Sequence, residues 1–273
     1  MTSSARPEAL EAQLRDLRRE LAEAVGRLTE LQADLQELRA TIEGSGPRFA
    51  ELYAGFIDRF RGSTGDVSAK LAAYLPDARR LVGATGSGVV DVGSGRGEWL
   101  ALLRDAGIPA VGVDANQTFV DAARARGLHV VHGTAVAHLR NLPQGSVDLV
   151  TAFHLIEHLT VEELLALLAA ALYALRPGGC VLFETPNPSN LRMAACDFYN
   201  DPTHRSPLPP ALTEFLVSAA GFVDVEVRPI NPGQPPFTPA GTGTNERVEQ
   251  LVVDVLFGPQ DYAVLGYKPH LTG

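Results

Sequence analysis

The stretch VVDVGSGRGEWLALL, residues 89–103, limits the architecture of this chain more than any other segment. It passes from a β-branched apolar run into a turn with Gly93, Gly95 and Gly97 at alternate positions, then into a helix-forming sequence. Strand, glycine turn and helix in that order open a mononucleotide-type β-α unit, whose ligand sits at the carboxyl end of the strand. A dinucleotide fingerprint needs G-x-G-x-x-G. Here the third glycine comes one residue early, and Asp91 stands near the end of the strand. An acid at that point is ill suited to a pyrophosphate and well suited to an ammonium group. Asp114 closes the next apolar run, 21 residues after Gly93, the distance at which a carboxylate meets ribose hydroxyls in such folds. One acid for an ammonium and one for a ribose describe S-adenosylmethionine better than a nicotinamide dinucleotide.

Beyond Gly83 the whole sequence alternates short β-rich runs with helical stretches. The predicted strands are Val89–Val92, Ala110–Asp114, His129–His132, Val147–Phe153, Cys180–Thr185, Val223–Pro229 and Tyr262–Tyr267. Repeated β-α units predict a parallel, doubly wound α/β sheet. The segment PINPGQPPFTPAGTG, residues 229–243, is dense in Pro and Gly and reads as a long loop, either a lid or a solvated connection.

The N-terminal segment follows a different period. Leu10, Leu14, Leu17, Leu21, Ala24, Leu28, Leu31, Leu35, Leu38 and Ile42 alternate spacings of four and three, with Glu and Arg on the flanks. A 3.5-residue period held this long predicts a coiled coil that self-associates, ~50 Å in length at the α-helical rise. The predicted organisation is a coiled coil over 1–45, a helical cap or linker over 46–85, and the ligand-binding domain over 86–273.

At this point the chain resembles the class I S-adenosylmethionine-dependent methyltransferases. The motifs that carry the resemblance are DVGSGRG, VGVDAN, GSVDLVTAFHLIEHL and LRPGGCVLFETP, in that order. It implies a Rossmann-like fold: a seven-stranded, mostly parallel sheet with helices on both faces. It also implies that Gly93, Ser94, Gly95 and Gly97 surround the methionine moiety, with Asp114 on the ribose and Ala115 and Asn116 near the adenine. Thr134 and Ala135 stand where the family often has an acid for the adenine amino group. Arg59 and Arg61 are placed to reach the cofactor carboxylate. A narrower resemblance, in FRGS, GRGEWL, ETPNPSNL, FYNDPTHRSPLPPAL and FGPQDYAVLGYKP, is to methyltransferases of bacterial polysaccharide assembly. These include the WbdD type, which caps O-antigen chains and is linked to coiled coils. It implies a saccharide or glycan acceptor, and glycosyltransferases as candidate partners.

His154-x-x-Glu157-His158 has the spacing of an inverted zinc-protease motif. That motif needs a continuous helix. Here a strand precedes His154, and Thr160-x-x-Glu163 is a capping box that starts a helix afresh. The strand instead delivers Phe153 and His154 to the cofactor crevice. Three roles remain for the histidines. His158 could be a general base for a sugar hydroxyl, with Glu157 orienting its ring or binding the acceptor. His154, Glu157, His158 and His204 could hold a divalent metal, though His154 suits magnesium poorly. All could be hydrogen-bonded structural groups. The first is preferred, so no metal is assigned.

FYNDPTHRSPLPP is the predicted acceptor side, with Tyr199 stacking on a sugar and Asp201, His204 and Arg205 as polar contacts. Trp99 is expected to pack rather than to recognise. The net charge of −9 argues against a nucleic-acid partner. Two cysteines give no disulfide framework. With neither an apolar leader nor a run long enough to span a bilayer, the sequence predicts a cytoplasmic location. The function expected is therefore O-methylation of a saccharide from S-adenosylmethionine. A non-catalytic scaffold for glycan assembly and a methyltransferase of secondary metabolism are the alternatives.

Overall fold

A computed structural model describes residues 62–82, 87–235, 237–239 and 244–270, together with Tyr53, Gly55, Phe56 and Arg59. The heptad run and Arg61 lie outside the described residues. The chain divides into two compact units, 1–56 and 57–273. The second unit contains both the glycine loop and the HLIEH segment.

The apolar runs pair as their alternation predicts. Strands β1 (Val89–Val92), β2 (Ala110–Asp114), β3 (Val130–His132), β4 (Val147–Phe153), β5 (Leu175–Pro186), β6 (Val223–Pro232) and β7 (Pro259–Tyr267) form one sheet. Their order is β3-β2-β1-β4-β5-β7-β6. The first five are mutually parallel. β7 is antiparallel to both β5 and β6 and inserts between them. Residues 229–232, expected in a loop, instead continue β6 along β7.

Helices α1 (Thr64–Leu71), α2 (Leu75–Val82), α3 (Glu98–Asp105), α4 (Gln117–Ala125), α5 (Ala135–Asn141), α6 (Val161–Ala174), α7 (Leu191–Ala195), α8 (Pro210–Ala219) and α9 (Thr244–Phe257) fall between or before the strands. Every residue of β4 is buried, as a strand covered on both faces requires. Its period of two sends alternate side chains to opposite cores. Val150 and Ala152 join one with Leu164, Leu167, Leu168 and Ala171 of α6 and Leu216 of α8. Leu149 and Phe153 join the other with Trp99 and Leu103 of α3.

That second core also takes Val67, Leu71, Tyr74, Ala78 and Leu81. Ser63 caps α1 by accepting from the Asp66 amide at 3.2 Å. Residues 64–82 therefore pack on the sheet within the second unit. The predicted capping box is formed: Thr160 Oγ1 accepts from the Glu163 amide, and Glu163 Oε2 accepts from the Thr160 amide. Among the described residues, no helix is long and apolar enough to cross a membrane.

Candidate active site

Gly93, Gly95 and Gly97 have φ of +67°, +51° and +79°, a backbone region closed to most side chains. Close approach adds to this. A Cβ on Gly93 would lie 2.9 Å from Leu155 Cδ1, and one on Gly97 would lie 2.6 Å from Leu128 Cδ1. The first contact seats the loop against the HLIEH turn, so the two motifs form one crevice at the carboxyl ends of β1 and β4.

Asp114 closes the loop from the other side. Its carboxylate accepts from the amide of Gly95 and from that of Asn116, each at 2.8 Å. Asn116 in turn caps α4 by accepting from the Thr118 amide at 3.0 Å. Ala115, Asn116, Thr134 and Ala135 follow the ends of β2 and β3 and form the rim. Thr134 is exposed and caps α5, while His132 Nε2 bonds the Ala115 carbonyl at 3.1 Å.

Asp91 is 3% exposed and accepts from the Thr151 hydroxyl at 2.7 Å, which ties the end of β1 to β4. Two expected cofactor contacts are placed elsewhere. Ser94 turns inward, its hydroxyl 2.8 Å from where a Cβ on Gly112 would lie. Phe153 is a core residue, with its ring 5.4 Å from that of Tyr74 and 5.5 Å from that of Trp99. A strand side chain alternates with its neighbour, so the one beside His154 points into the opposite layer.

His154 terminates β4 with φ of +55°. Nδ1 lies 3.2 Å from Glu157 Oε1, and Nε2 lies 3.2 Å from Glu184 Oε1 and 3.7 Å from Asp261 Oδ1. Burial alone would lower its pKa. The charge of Asp261 and the hydrogen bonds to Glu157 and Glu184 outweigh burial and raise it to about 10. His154 is thus an imidazolium held among three carboxylates, with both ring nitrogens occupied. Its ring faces Glu157, Glu184 and Asp261, so it is engaged by carboxylates where the sequence placed it among the catalytic residues.

The carboxylates are themselves anchored. Tyr74 donates to Glu184 at 2.6 Å, Asn231 to Asp261 at 2.9 Å, and Thr185 to Glu157 at 2.9 Å. Burial pushes the Glu157 carboxyl up, but the hydrogen bond and charge of His154 hold it down at about 2. Glu157 is 1% exposed, so it orients neighbours rather than meeting an acceptor.

Ile156–His158 is a short 3-10 turn, and the FYNDPTHR segment clasps it. Arg205 donates its amide to the Glu157 carbonyl and its Nε to the His158 carbonyl, both at 2.9 Å. His158 is half-buried, with Nδ1 2.9 Å from Thr203 Oγ1. Thr203 Oγ1 lies 2.6 Å from Asp201 Oδ1, which also accepts from the Thr203 amide at 2.8 Å. Burial lowers the His158 pKa, helped by His204 and opposed by Glu157 and Asp201. The ring is therefore neutral at pH 7. Asp201, predicted on the acceptor, is 8% exposed and committed to Thr203. His204 donates Nδ1 to the Phe198 carbonyl at 2.6 Å and packs its ring 4.7 Å from that of His158. Tyr199, 64% exposed, is free to meet a ligand.

Glu157, His158 and His204 each bring one donor atom to within 4.8 Å of the others, as do His154, Glu184 and Asp261. Sequence reasoning missed Tyr74, Glu184, Asp261 and Thr203. Glu184 and Asp261 carry a signal after the fact: each is an acid at the edge of an otherwise apolar run.

A methyltransferase-domain family model matches residues 58–227. The chain is similar to a solved S-adenosylmethionine-dependent methyltransferase of Archaeoglobus fulgidus, with 33% identity and a TM-score of 0.71 over 79% of this chain and 99% of that one. It is 33% identical over 139 residues to a protein of Mycolicibacterium smegmatis named as a probable S-adenosylmethionine-dependent methyltransferase, covering 50% of this chain and 52% of that one. It is 34% identical over 109 residues to a ubiquinone biosynthesis O-methyltransferase of Methylococcus capsulatus, covering 38% of this chain and 45% of that one. The matches thus span about half the length of these two curated relatives.

Proposed function

The chain belongs to the S-adenosylmethionine-dependent methyltransferases, and on that premise we propose that it methylates a saccharide hydroxyl with His158 as general base. The observation that carries the proposal is a half-buried imidazole on the turn seated against the glycine loop. The residues present fit the donor: the glycine loop and the Asp114 carboxylate, which the Gly95 and Asn116 amides hold in place, stand together at the strand ends, an acid for ribose hydroxyls beside a turn without side chains at 93, 95 and 97. S-adenosylmethionine, when bound there, supplies an electrophilic methyl group and leaves as the thioether with the electron pair of the broken bond.

The chain's own residues handle the acceptor and its proton. A hydroxyl is a poor nucleophile until its proton has somewhere to go. As the oxygen–carbon bond forms, the hydroxyl proton passes to the free ring nitrogen of His158, then to solvent. The His154–Glu157 pair fixes the turn from beneath, and Tyr199 offers an exposed ring for a sugar face. Oxygen as the acceptor atom is in line with the relative in Methylococcus capsulatus. The saccharide is supported by the resemblance of the FYNDPTHRSPLPPAL segment to polysaccharide methyltransferases. Residues 1–45 are read as a self-associating coiled coil, with a cytoplasmic location and glycosyltransferases as partners.

His158→Gln and His158→Ala should lower methyl transfer to short mannosides and other oligosaccharides about 100-fold or more. Affinity for S-adenosylmethionine, measured by calorimetry, should be unchanged. Near wild-type turnover in either variant would remove His158 from the role. Inhibition by EDTA, reversed by one divalent ion, would put a metal on Glu157, His158 and His204 instead. Absence of cofactor binding would favour the scaffold reading.

A further inference from the structure

We propose that Asp201 and Thr203 are positioning residues which fix the tautomer and orientation of His158. The inference rests on the reading of His158 as the base and extends it to two side chains that need not touch either substrate. Three distances carry it: Thr203 Oγ1 is 2.6 Å from Asp201 Oδ1 and 2.9 Å from His158 Nδ1, and the Thr203 amide is 2.8 Å from Asp201 Oδ1.

The proton directions follow from what each group can do. A carboxylate accepts only, so the single hydroxyl proton of Thr203 goes to Asp201. Asp201 is ionised. Its burial favours the neutral acid, but the two bonds from Thr203 prevail and hold the carboxyl below its ordinary range. The hydroxyl oxygen is then left as an acceptor, and the atom facing it must be a donor. Nδ1 of His158 therefore carries the ring proton. Nε2 keeps its lone pair and is the ring's proton acceptor. In the opposite tautomer two lone pairs would face each other across 2.9 Å, and Nε2 would be protonated and useless as a base.

The arrangement is also mechanically sound. Arg205, two residues beyond Thr203, bonds two successive carbonyls of the 156–158 turn, so Thr203 and His158 are held together by backbone as well as by side chains. When His158 takes the substrate proton on Nε2, the charge it gains is balanced through Thr203 by the buried carboxylate.

The decisive test reads the tautomer directly. In the full chain labelled with 15N-histidine, the long-range 1H–15N pattern of His158, assigned by its loss in His158→Asn, should show Nδ1–H at neutral pH. Thr203→Val should shift the ring toward Nε2–H or a mixture, and Thr203→Ser should restore the wild-type pattern. With an oligosaccharide acceptor, Thr203→Val should lower kcat about 10- to 100-fold while KM changes less than about twofold, and serine should recover most of it. An Nε2–H pattern in the wild-type protein overturns the proposal without any variant having to fold. An unchanged ring in a folded Thr203→Val protein overturns it as well. Whether His158 is the base is decided separately, by the His158→Gln rate.

Discussion

Replacing His154 by glutamine tests the electrostatics beneath the site. The substitution keeps a side chain of similar reach but removes the imidazole that faces Glu157, Glu184 and Asp261. The imidazole has an ordinary pKa of 6.5 and is raised to about 10 in the fold. That interval is equivalent to about 5 kcal/mol of preference for the charged form. The ring is 28% exposed, and in the variant a buried carboxyl can take up a proton to relieve repulsion. Both effects reduce the loss, to roughly 2–4 kcal/mol. For a unit of this size that is a fall in Tm on the order of 10 °C.

The pH dependence is more diagnostic than the size. A group whose pKa is raised on folding binds more protons in the native state, so its contribution falls as pH rises. The stability lent by His154 is complete below pH 6.5, shrinks from there, and is lost as pH passes through about 10. Urea unfolding of both proteins at pH 6.5, 8 and 10.5 should give a difference that narrows at each step. A difference that is constant across that range, or below about 1 kcal/mol at pH 6.5, would refute the assignment of His154 as a buried cation.

Two further outcomes concern the cofactor side. Asp114→Asn should weaken S-adenosylmethionine binding by about tenfold or more in calorimetry, because an amide cannot accept from two backbone N–H groups and two ribose hydroxyls as a carboxylate does. Gly97→Ala should cost about 1–3 kcal/mol in urea unfolding, since φ is +79° and the new Cβ would sit 2.6 Å from Leu128 Cδ1.

The sheet was legible because its signals are local. Strands Val89–Val92, Ala110–Asp114 and Val147–Phe153 have the predicted bounds, each an apolar run closed by a residue of different character. Bounds moved where pairing overrides composition: β5 begins at Leu175, and β6 continues through two prolines because β7 lies beside it. Local signals located the glycine loop, Asp114 and the turn that carries His158 at the ends of β1, β2 and β4. The site was not legible where partners come from afar. Tyr74 is 110 residues from Glu184, and no spacing rule connects His154 with Asp261. Asp201 and Arg205 were read as acceptor contacts because a charged loop invites that reading; their bonds to Thr203 and to the 156–158 turn carry no local signal. Phe153 was assigned to the crevice from its place at the strand end, although the pleat directs it into the core.

The position of β7 has a consequence for synthesis. It is last of the seven strands in sequence but internal in the sheet, between β5 and β6, and it supplies Asp261 to the cage around His154. While the chain emerges from the ribosome, β5 has a vacant edge and His154 lacks its third carboxylate. Residues 259–267, far along the chain, are thus needed both to cover that edge and to complete the cage beneath the 156–158 turn.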